Sequence, residues 1–137
     1  MKRKTKYAAM GAASLMLAGC QSWGPTWSEL MGTRYSDITS MTEMPVVVTM
    51  VDGTSPGTRP LEAIKVTPGP HKLVLQATAP PGVTGLLALE QTEVDFKPCV
   101  RYYVNARFAS STSDNWRPFI DREEKIPGCQ LPTPPKS

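Results

Sequence analysis

The sequence predicts an all-β fold, a small antiparallel β-sandwich of six or seven short strands over residues 44–129. Fourteen prolines and ten glycines are spread along the 137 residues, which disfavours long helices. Between these breaks lie short runs in which β-branched or aromatic residues alternate with polar ones. Since no long helix is predicted to cover one face of a sheet, a second sheet is expected to do so.

Turn residues separate the first three predicted strands. The run PVVVTMV (45–51) is rich in β-branched residues and stops at the turn dipeptide Asp52-Gly53. A short second strand, LEAIKV (61–66), is followed by the turn TPGP (67–70). HKLVLQATA (71–79) alternates apolar and polar side chains, which is typical of a strand with one buried face.

The later strands follow a Pro-Pro-Gly break. GLLALEQTEVDF (85–96) changes its apolar face midway, which predicts a bulge or turn near Glu90-Gln91. CVRYYVNARF (99–108) alternates most regularly, and we predict that it is a central strand. A last short strand near Phe119-Ile120 is expected to precede a charged turn that leads to Cys129.

Residues 1–19 have the layout of a bacterial secretory signal. Basic residues lie within the first six positions, and the uncharged run that follows (7–18) is too short to span a bilayer as a helix. The segment Leu17-Ala18-Gly19-Cys20 resembles the lipobox of bacterial lipoproteins. This resemblance implies cleavage before Cys20, a lipid of the palmitate type on its thiol, and acylation of the new amino terminus. An ordinary signal that contains a cysteine is the alternative.

Lipidation of Cys20 would hold the protein at the cell membrane, on the periplasmic side. Gln21 stands where an aspartate tends to retain enteric lipoproteins in the inner membrane, so we expect the outer membrane. Residues 20–43 are predicted to be the lipidated cysteine and a tether, in which TWSELMG (26–32) either forms a helical turn or stays disordered. Residues 130–137 are predicted to be a disordered tail.

Removal of the signal changes the charge balance. The chain has 15 Lys and Arg against 12 Asp and Glu, and four of the basic residues lie in the signal. The remaining 118 residues are therefore nearly neutral and suffice for one small domain. No basic cluster with interleaved aromatic residues remains, so we predict no nucleic-acid partner.

Three cysteines leave one pair once Cys20 carries a lipid. We predict a Cys99–Cys129 disulfide, because a periplasmic protein meets an oxidising environment. It would close a loop of about 30 residues and contribute about 3.5 kcal/mol. Two buried free thiols, or a metal site with His71, are the alternatives. The metal site is disfavoured because the spacing of these residues is not that of metal ligands. We predict no metal or other cofactor, and a hydrogen-bonded surface role for His71.

The succession of motifs over residues 46–129 resembles small envelope lipoproteins of Gram-negative bacteria. The motifs are VDG (51–53), TPGPHKLVL (67–75), YYVNARF (102–108), WRPFI (116–120) and IPGC (126–129). The PG-x-H turn and the strand after it are similar to PEGA-type β-sandwich modules of bacterial surface proteins. The resemblance implies a sandwich architecture and no particular activity. The chain departs from a minimal PEGA module in its length and its cysteine pair.

No enzyme motif is present, neither a G-x-S-x-G sequence, a phosphate-binding glycine loop nor a histidine cluster. We therefore predict a non-enzymatic adaptor that contacts another envelope protein. The candidate contact surface is the polar face of the predicted central strand, with exposed sheet edges to which a partner strand could add. That face comprises Arg101, Tyr103, Asn105 and Arg107, and Trp116 is a further candidate for the interaction surface. An ordinary solvated surface is the alternative.

A glycan-binding or peptidoglycan-binding module is the alternative function. Aromatic side chains beside polar ones are typical of such a surface. The candidate rings are Trp27, Tyr103 and Trp116, although Trp116 could equally belong to the core.

Overall fold

The computed structural model describes residues 25–33, 37–59 and 62–132. The predicted signal, the lipobox and Cys20 lie outside the described residues. The described part is all-β, with seven strands and no α-helix, which confirms the predicted class. The strands are β1 (Ser28–Gly32), β2 (Glu43–Val51), β3 (Ile64–Val66), β4 (Gly69–Ala77), β5 (Glu90–Phe96), β6 (Val100–Phe108) and β7 (Trp116–Lys125).

The strands form two sheets that share β2. The first sheet has the order β3-β1-β6-β7, and the start of β2 pairs with the second half of β6. The second sheet contains the rest of β2, then β4 and β5. β2 passes from one sheet to the other between Pro45 and Val46. This crossing joins the two sheets into a small sandwich-like domain.

One strand pair differs from the antiparallel prediction. β1 runs parallel to β6, with Glu29 opposite Arg101, so the first sheet is mixed. Both strands start at the same end of the domain because the backbone N–H of Cys99 donates to the carbonyl of Trp27 over 2.8 Å. The other pairs are antiparallel, and β6 is central, as predicted.

The core lies between the two sheets. The Phe96 ring of β5 contacts the Tyr102 ring of β6 edge-on, with centroids 4.9 Å apart, and so joins the sheets. The alternation predicted for β6 is confirmed on its buried side, as is the inward face of β5 that ends at Phe96. The core side chains include Leu30, Met44, Val46, Ile64, Val66, Leu73, Leu75, Phe96, Tyr102, Val104, Phe108 and Trp116.

The predicted tether is wrong for residues 28–32, which form β1 in the middle of the first sheet. SELMG contains no β-branched residue, so strand propensity did not indicate it. Pairing on both sides stabilises it instead, since β3 and β6 flank it. Gly32 is required there because a Cβ would lie 2.5 Å from the carbonyl oxygen of Val46. The domain therefore begins before residue 44.

Three more boundaries differ from the sequence prediction. The expected charged turn over residues 121–125 belongs to β7, because an edge strand can direct charged side chains to solvent. Residues 85–89 form no strand, and β5 begins at Glu90, near the predicted break. The predicted tail starts later than expected, since Gln130 donates its backbone N–H to the carbonyl of Pro25 over 2.8 Å. Residues 133–137 lie outside the described part.

The sandwich has two ends, which we call the disulfide pole and the loop pole. β6 begins at the disulfide pole, beside residues 25–27, 97–99 and 126–130. It ends at the loop pole, where loops 37–42, 78–89 and 109–115 meet. The chain thus enters and leaves the described domain at the disulfide pole.

Candidate functional site

The disulfide pole is held together covalently and by backbone hydrogen bonds. Cys99 and Cys129 form a disulfide with a Cα–Cα distance of 5.4 Å and a sequence separation of 30, which confirms the predicted pair. Cys99 has a positive φ of 62°, and its backbone N–H and C=O bond to Trp27 and Ile126 respectively. The bridge therefore fixes the start of β6 to both chain ends of the described domain.

A row of charges crosses the outer face of the first sheet near the disulfide pole. Glu29 of β1 lies between Lys65 of β3 and Arg101 of β6, and Glu124 of β7 lies beyond Arg101. Glu29 is buried and pairs with Arg101, whose Nη1 is also 3.7 Å from Glu124. The hydrogen bonds to Glu29 and then Tyr103 raise the pKa of Arg101 above its ordinary value. These charges satisfy one another within the sheet.

The middle of the same face is covered, contrary to the predicted interaction surface. Tyr103 is buried, donates its hydroxyl to Glu124 over 2.7 Å and carries the Arg122 guanidinium 4.1 Å above its ring. Asn105 is 1% exposed because it lies between Pro45 of β2 and Phe119 of β7. Its Oδ1 has no hydrogen-bond partner among the described residues. Neither side chain is available as a contact group.

Arg107 and β7 form the accessible part of this face, next to the loop pole. Arg107 is exposed and stacks on the Phe119 ring, with its Cζ 4.0 Å from the centroid, while Nη2 is 3.2 Å from Oε1 of Glu43. Arg117 lies directly opposite Arg107 on β7 and is exposed. These side chains border a hollow of about 430 Å³, together with Asn115 and the rings at the end of the hairpin.

Trp116 belongs to the core. It is 3% exposed, its ring centroid is 6.4 Å from that of Phe108, and Nε1 donates to the carbonyl of Ala88 over 3.1 Å. Because it is buried, Trp116 cannot belong to the interaction surface for which the sequence made it a candidate. The other two rings proposed for glycan stacking are also covered, since Lys65 Nζ lies 4.8 Å from the Trp27 ring and Arg122 lies on Tyr103.

His71 is engaged in a local network beside the Asp52 turn. Its Nε2 donates to the carbonyl of Thr67 over 2.7 Å, and its Nδ1 pairs with Asp52. Asp52 also accepts the backbone N–H of Lys72 over 2.9 Å. The hydrogen bond from His71, and then that from Lys72, hold the pKa of Asp52 below its usual range. This network fixes the turn after β2 to the start of β4.

Three further observations concern metal ligands, membrane-spanning helices and exposed apolar side chains. Within the described ranges, no three His, Cys, Asp or Glu side chains are grouped so that they could share a metal ion. No helix among the described residues is long and apolar enough to cross a bilayer. The loop pole, in contrast, exposes apolar side chains, with Met41 80%, Leu86 97% and Leu89 55% exposed.

Comparisons with models of protein families, with curated proteins and with solved structures find no match. The likeness to PEGA-type modules and to envelope lipoproteins therefore stays a prediction.

Sequence reasoning identified Arg101 and Arg107 but missed their partners. Glu29 is predicted to lie in a tether, Phe119 in a short last strand and Arg122 in the charged turn after it, so their positions on one sheet face are not predicted. No local pattern reveals them, because WRPFI (116–120) contains one charged residue and DREEK (121–125) contains only charged ones, so neither run alternates.

Proposed function

We propose that this protein is a lipoprotein of the cell envelope, held at the membrane through lipidated Cys20, with its domain on the periplasmic side, where it acts as a non-enzymatic adaptor for another envelope protein. Gln21 favours the outer membrane. The observation that carries the proposal is the separation of the two poles. Pro25 is bonded into the disulfide pole, and four residues separate it from Cys20.

This spacing orients the domain. Five residue steps from Cys20 to Pro25 reach at most about 18 Å even when fully extended. A lipid on Cys20 therefore keeps the disulfide pole close to the membrane, and the loop pole points away from it. A second protein in the periplasm would meet the loop pole first.

The surface at the loop pole suits a protein partner. Met41, Leu86 and Leu89 are exposed in the loops of this pole, where each is available to pack against a partner. Arg107 and Arg117 lie at the edge of the same pole, and arginine is enriched among residues that dominate binding energy. The contact surface proposed now consists of these five side chains, and it keeps only Arg107 of the surface predicted from the sequence.

A glycan-binding role has less support, because sugar stacking requires a free aromatic face. Trp116 is buried, and basic side chains cover the rings of Trp27 and Tyr103. A protein partner is therefore the better proposal.

The anchor is tested in the native host by labelling with palmitate. We expect label in the wild-type protein and none in Cys20→Ser, which should accumulate as an uncleaved precursor or leave the membrane. Cys99→Ser is the matched control and should still take up label. A wild-type protein without label would contradict the anchor.

The adaptor role is tested by recovery from detergent-solubilised envelopes and, in parallel, by binding to purified sacculi. We expect a specific protein to be recovered with the wild-type chain and to be lost with Leu86→Asp. Leu131→Asp is the control, since Leu131 is exposed but lies at the disulfide pole. Retention on sacculi without a protein partner would favour the glycan-binding module instead.

A further inference from the structure

Two arginines face each other at the end of the β6–β7 hairpin. Arg107 and Arg117 are directly opposite in the register, and like charges in this position destabilise a sheet. Glu43 of β2 pairs with Arg107 from its other side. Arg117 has no ion pair among the described residues. The pair thus carries one positive charge that the domain itself does not balance.

The hollow beside this pair combines charge with an apolar wall. Its volume is about 430 Å³, and its lining includes the two arginines and the half-buried Phe119. The side-chain amide of Asn115 is exposed at its rim, and Pro118 adds apolar surface. Arg107 is already oriented by Glu43 and by its stacking on Phe119, so little side-chain freedom would be lost when it binds a ligand.

We propose that this hollow is a binding site for a carboxylate carried on an apolar group, such as an acidic side chain or a carboxyl terminus beside an aromatic or aliphatic residue. A carboxylate between the two guanidinium groups would accept charge-assisted hydrogen bonds from both. The apolar group would pack on the edge of the Phe119 ring, since the Arg107 guanidinium covers one face of that ring. The choice of a protein as the source of the carboxylate rests on the proposed function, whereas the site itself rests on the geometry of the hairpin.

The site is tested with 3-phenylpropionate as the probe and 3-phenylpropionamide as its uncharged match. The full chain, purified in detergent, is titrated with each compound and followed by NMR. We expect saturable shifts in the signals of Arg117, Phe119 and Asn115 with the carboxylate, at concentrations on the order of millimolar, because so small a ligand has few contacts. We expect the amide to bind at least about tenfold more weakly than the carboxylate.

Arg117→Gln should weaken binding of 3-phenylpropionate about tenfold or more, the loss expected when a charge-assisted hydrogen bond is removed. Arg122→Gln is the matched control, since Arg122 is on the same strand and face but lies over Tyr103. Without ligand, Arg117→Gln should raise the midpoint of thermal unfolding by about 1–2 °C, because it removes the opposed charges. Both results hold whether or not the protein has an envelope partner.

Three results would overturn the inference. Equal shifts with acid and amide would show that no carboxylate is recognised. Acetate binding as tightly as 3-phenylpropionate would show that the apolar wall contributes nothing. Equal binding by wild type and Arg117→Gln would exclude the arginine pair. If instead the probe binds as expected while no partner is recovered from envelopes, the site stands and the adaptor proposal fails.

Discussion

The two poles of the sandwich are built in different ways. At the disulfide pole, the first and last described segments are joined by the Cys99–Cys129 bridge and by backbone hydrogen bonds between residues 25–27 and 99 or 130. At the loop pole, three connections meet without a covalent link between them, and Leu86 is almost fully exposed. The disulfide pole is closed by bonds within the chain, with Leu131 exposed beside it, whereas the loop pole exposes Met41, Leu86 and Leu89.

This difference separates the end of the domain that stabilises the fold from the end that we propose for recognition. A cross-link near the chain ends stabilises the fold without using exposed side chains. The opposite end can then carry apolar loops and the opposed arginines, which reduce solubility or stability and serve the isolated domain poorly. Such costly features at one pole are the physical reason for proposing that the loop pole binds a partner.

The largest expected loss of stability follows from replacing Trp116. The contrast between the poles requires its ring to lie in the core and not on the surface of the loop pole. Trp116→Ala should lower the free energy of unfolding by about 3–5 kcal/mol, because it leaves a cavity and removes the hydrogen bond to Ala88. Urea denaturation measures this loss. Trp116→Phe should lose much less, and a fully stable alanine variant would mean that the ring is not in the core.

Removal of the disulfide should cause the next largest loss of stability. It tests whether the bridge is what holds the disulfide pole together. The double variant Cys99→Ser/Cys129→Ser should have a free energy of unfolding lower by about 3.5 kcal/mol. This is the stabilisation expected from the chain entropy of a closed loop of this length. Hydrogen exchange should then accelerate first at the disulfide pole, around Trp27 and Gln130, and least in the middle of β6. Unchanged protection at that pole would show that the backbone hydrogen bonds suffice without the bridge.

Much of the fold followed from local patterns. The β-branched run of β2 and the alternation of β6 each indicate their structure without distant information, and the structure confirms both. The break predicted at TPGP (67–70) is shorter than expected, since β4 already begins at Gly69. The cysteine pair was also predicted, since lipidation of Cys20 and a periplasmic location, which stay predictions, would leave Cys99 and Cys129 as the one pair to oxidise.

The missing parts depend on contacts that are distant in sequence. β1 is stabilised by pairing with β3 and β6, and its buried Glu29 is tolerated because Arg101, 72 residues later, neutralises it. The candidate site likewise requires the register that puts Arg107 opposite Arg117. Since a shift of one residue would place these side chains on opposite faces, the site could not be predicted before the pairing was known.

The smallest expected effect concerns the Asp52–His71 network, beside the disulfide pole. Because hydrogen bonds hold the pKa of Asp52 below its ordinary 3.8, the carboxylate stabilises the fold above that pH, and this contribution is lost as the pH falls through the lowered value. Asp52→Asn should therefore be slightly less stable than wild type at pH 7, with the difference vanishing in acid. Denaturation midpoints from pH 7 to pH 2 measure this.

Asp95→Asn is the control for this experiment. Asp95 is an exposed carboxylate on β5 without a hydrogen bond among the described residues, so its replacement should change little at any pH. An equal effect of both substitutions would attribute the result to overall charge and not to the network.

The separation of the two poles is tested most directly by photo-crosslinking in native membranes. A photoreactive phenylalanine analogue is placed at Leu86, at the loop pole, or at Leu131, which is 69% exposed at the disulfide pole. The account predicts a discrete protein adduct from Leu86 and lipid adducts without that protein from Leu131. A protein adduct from Leu131 alone, or the same adduct from both positions, would contradict it.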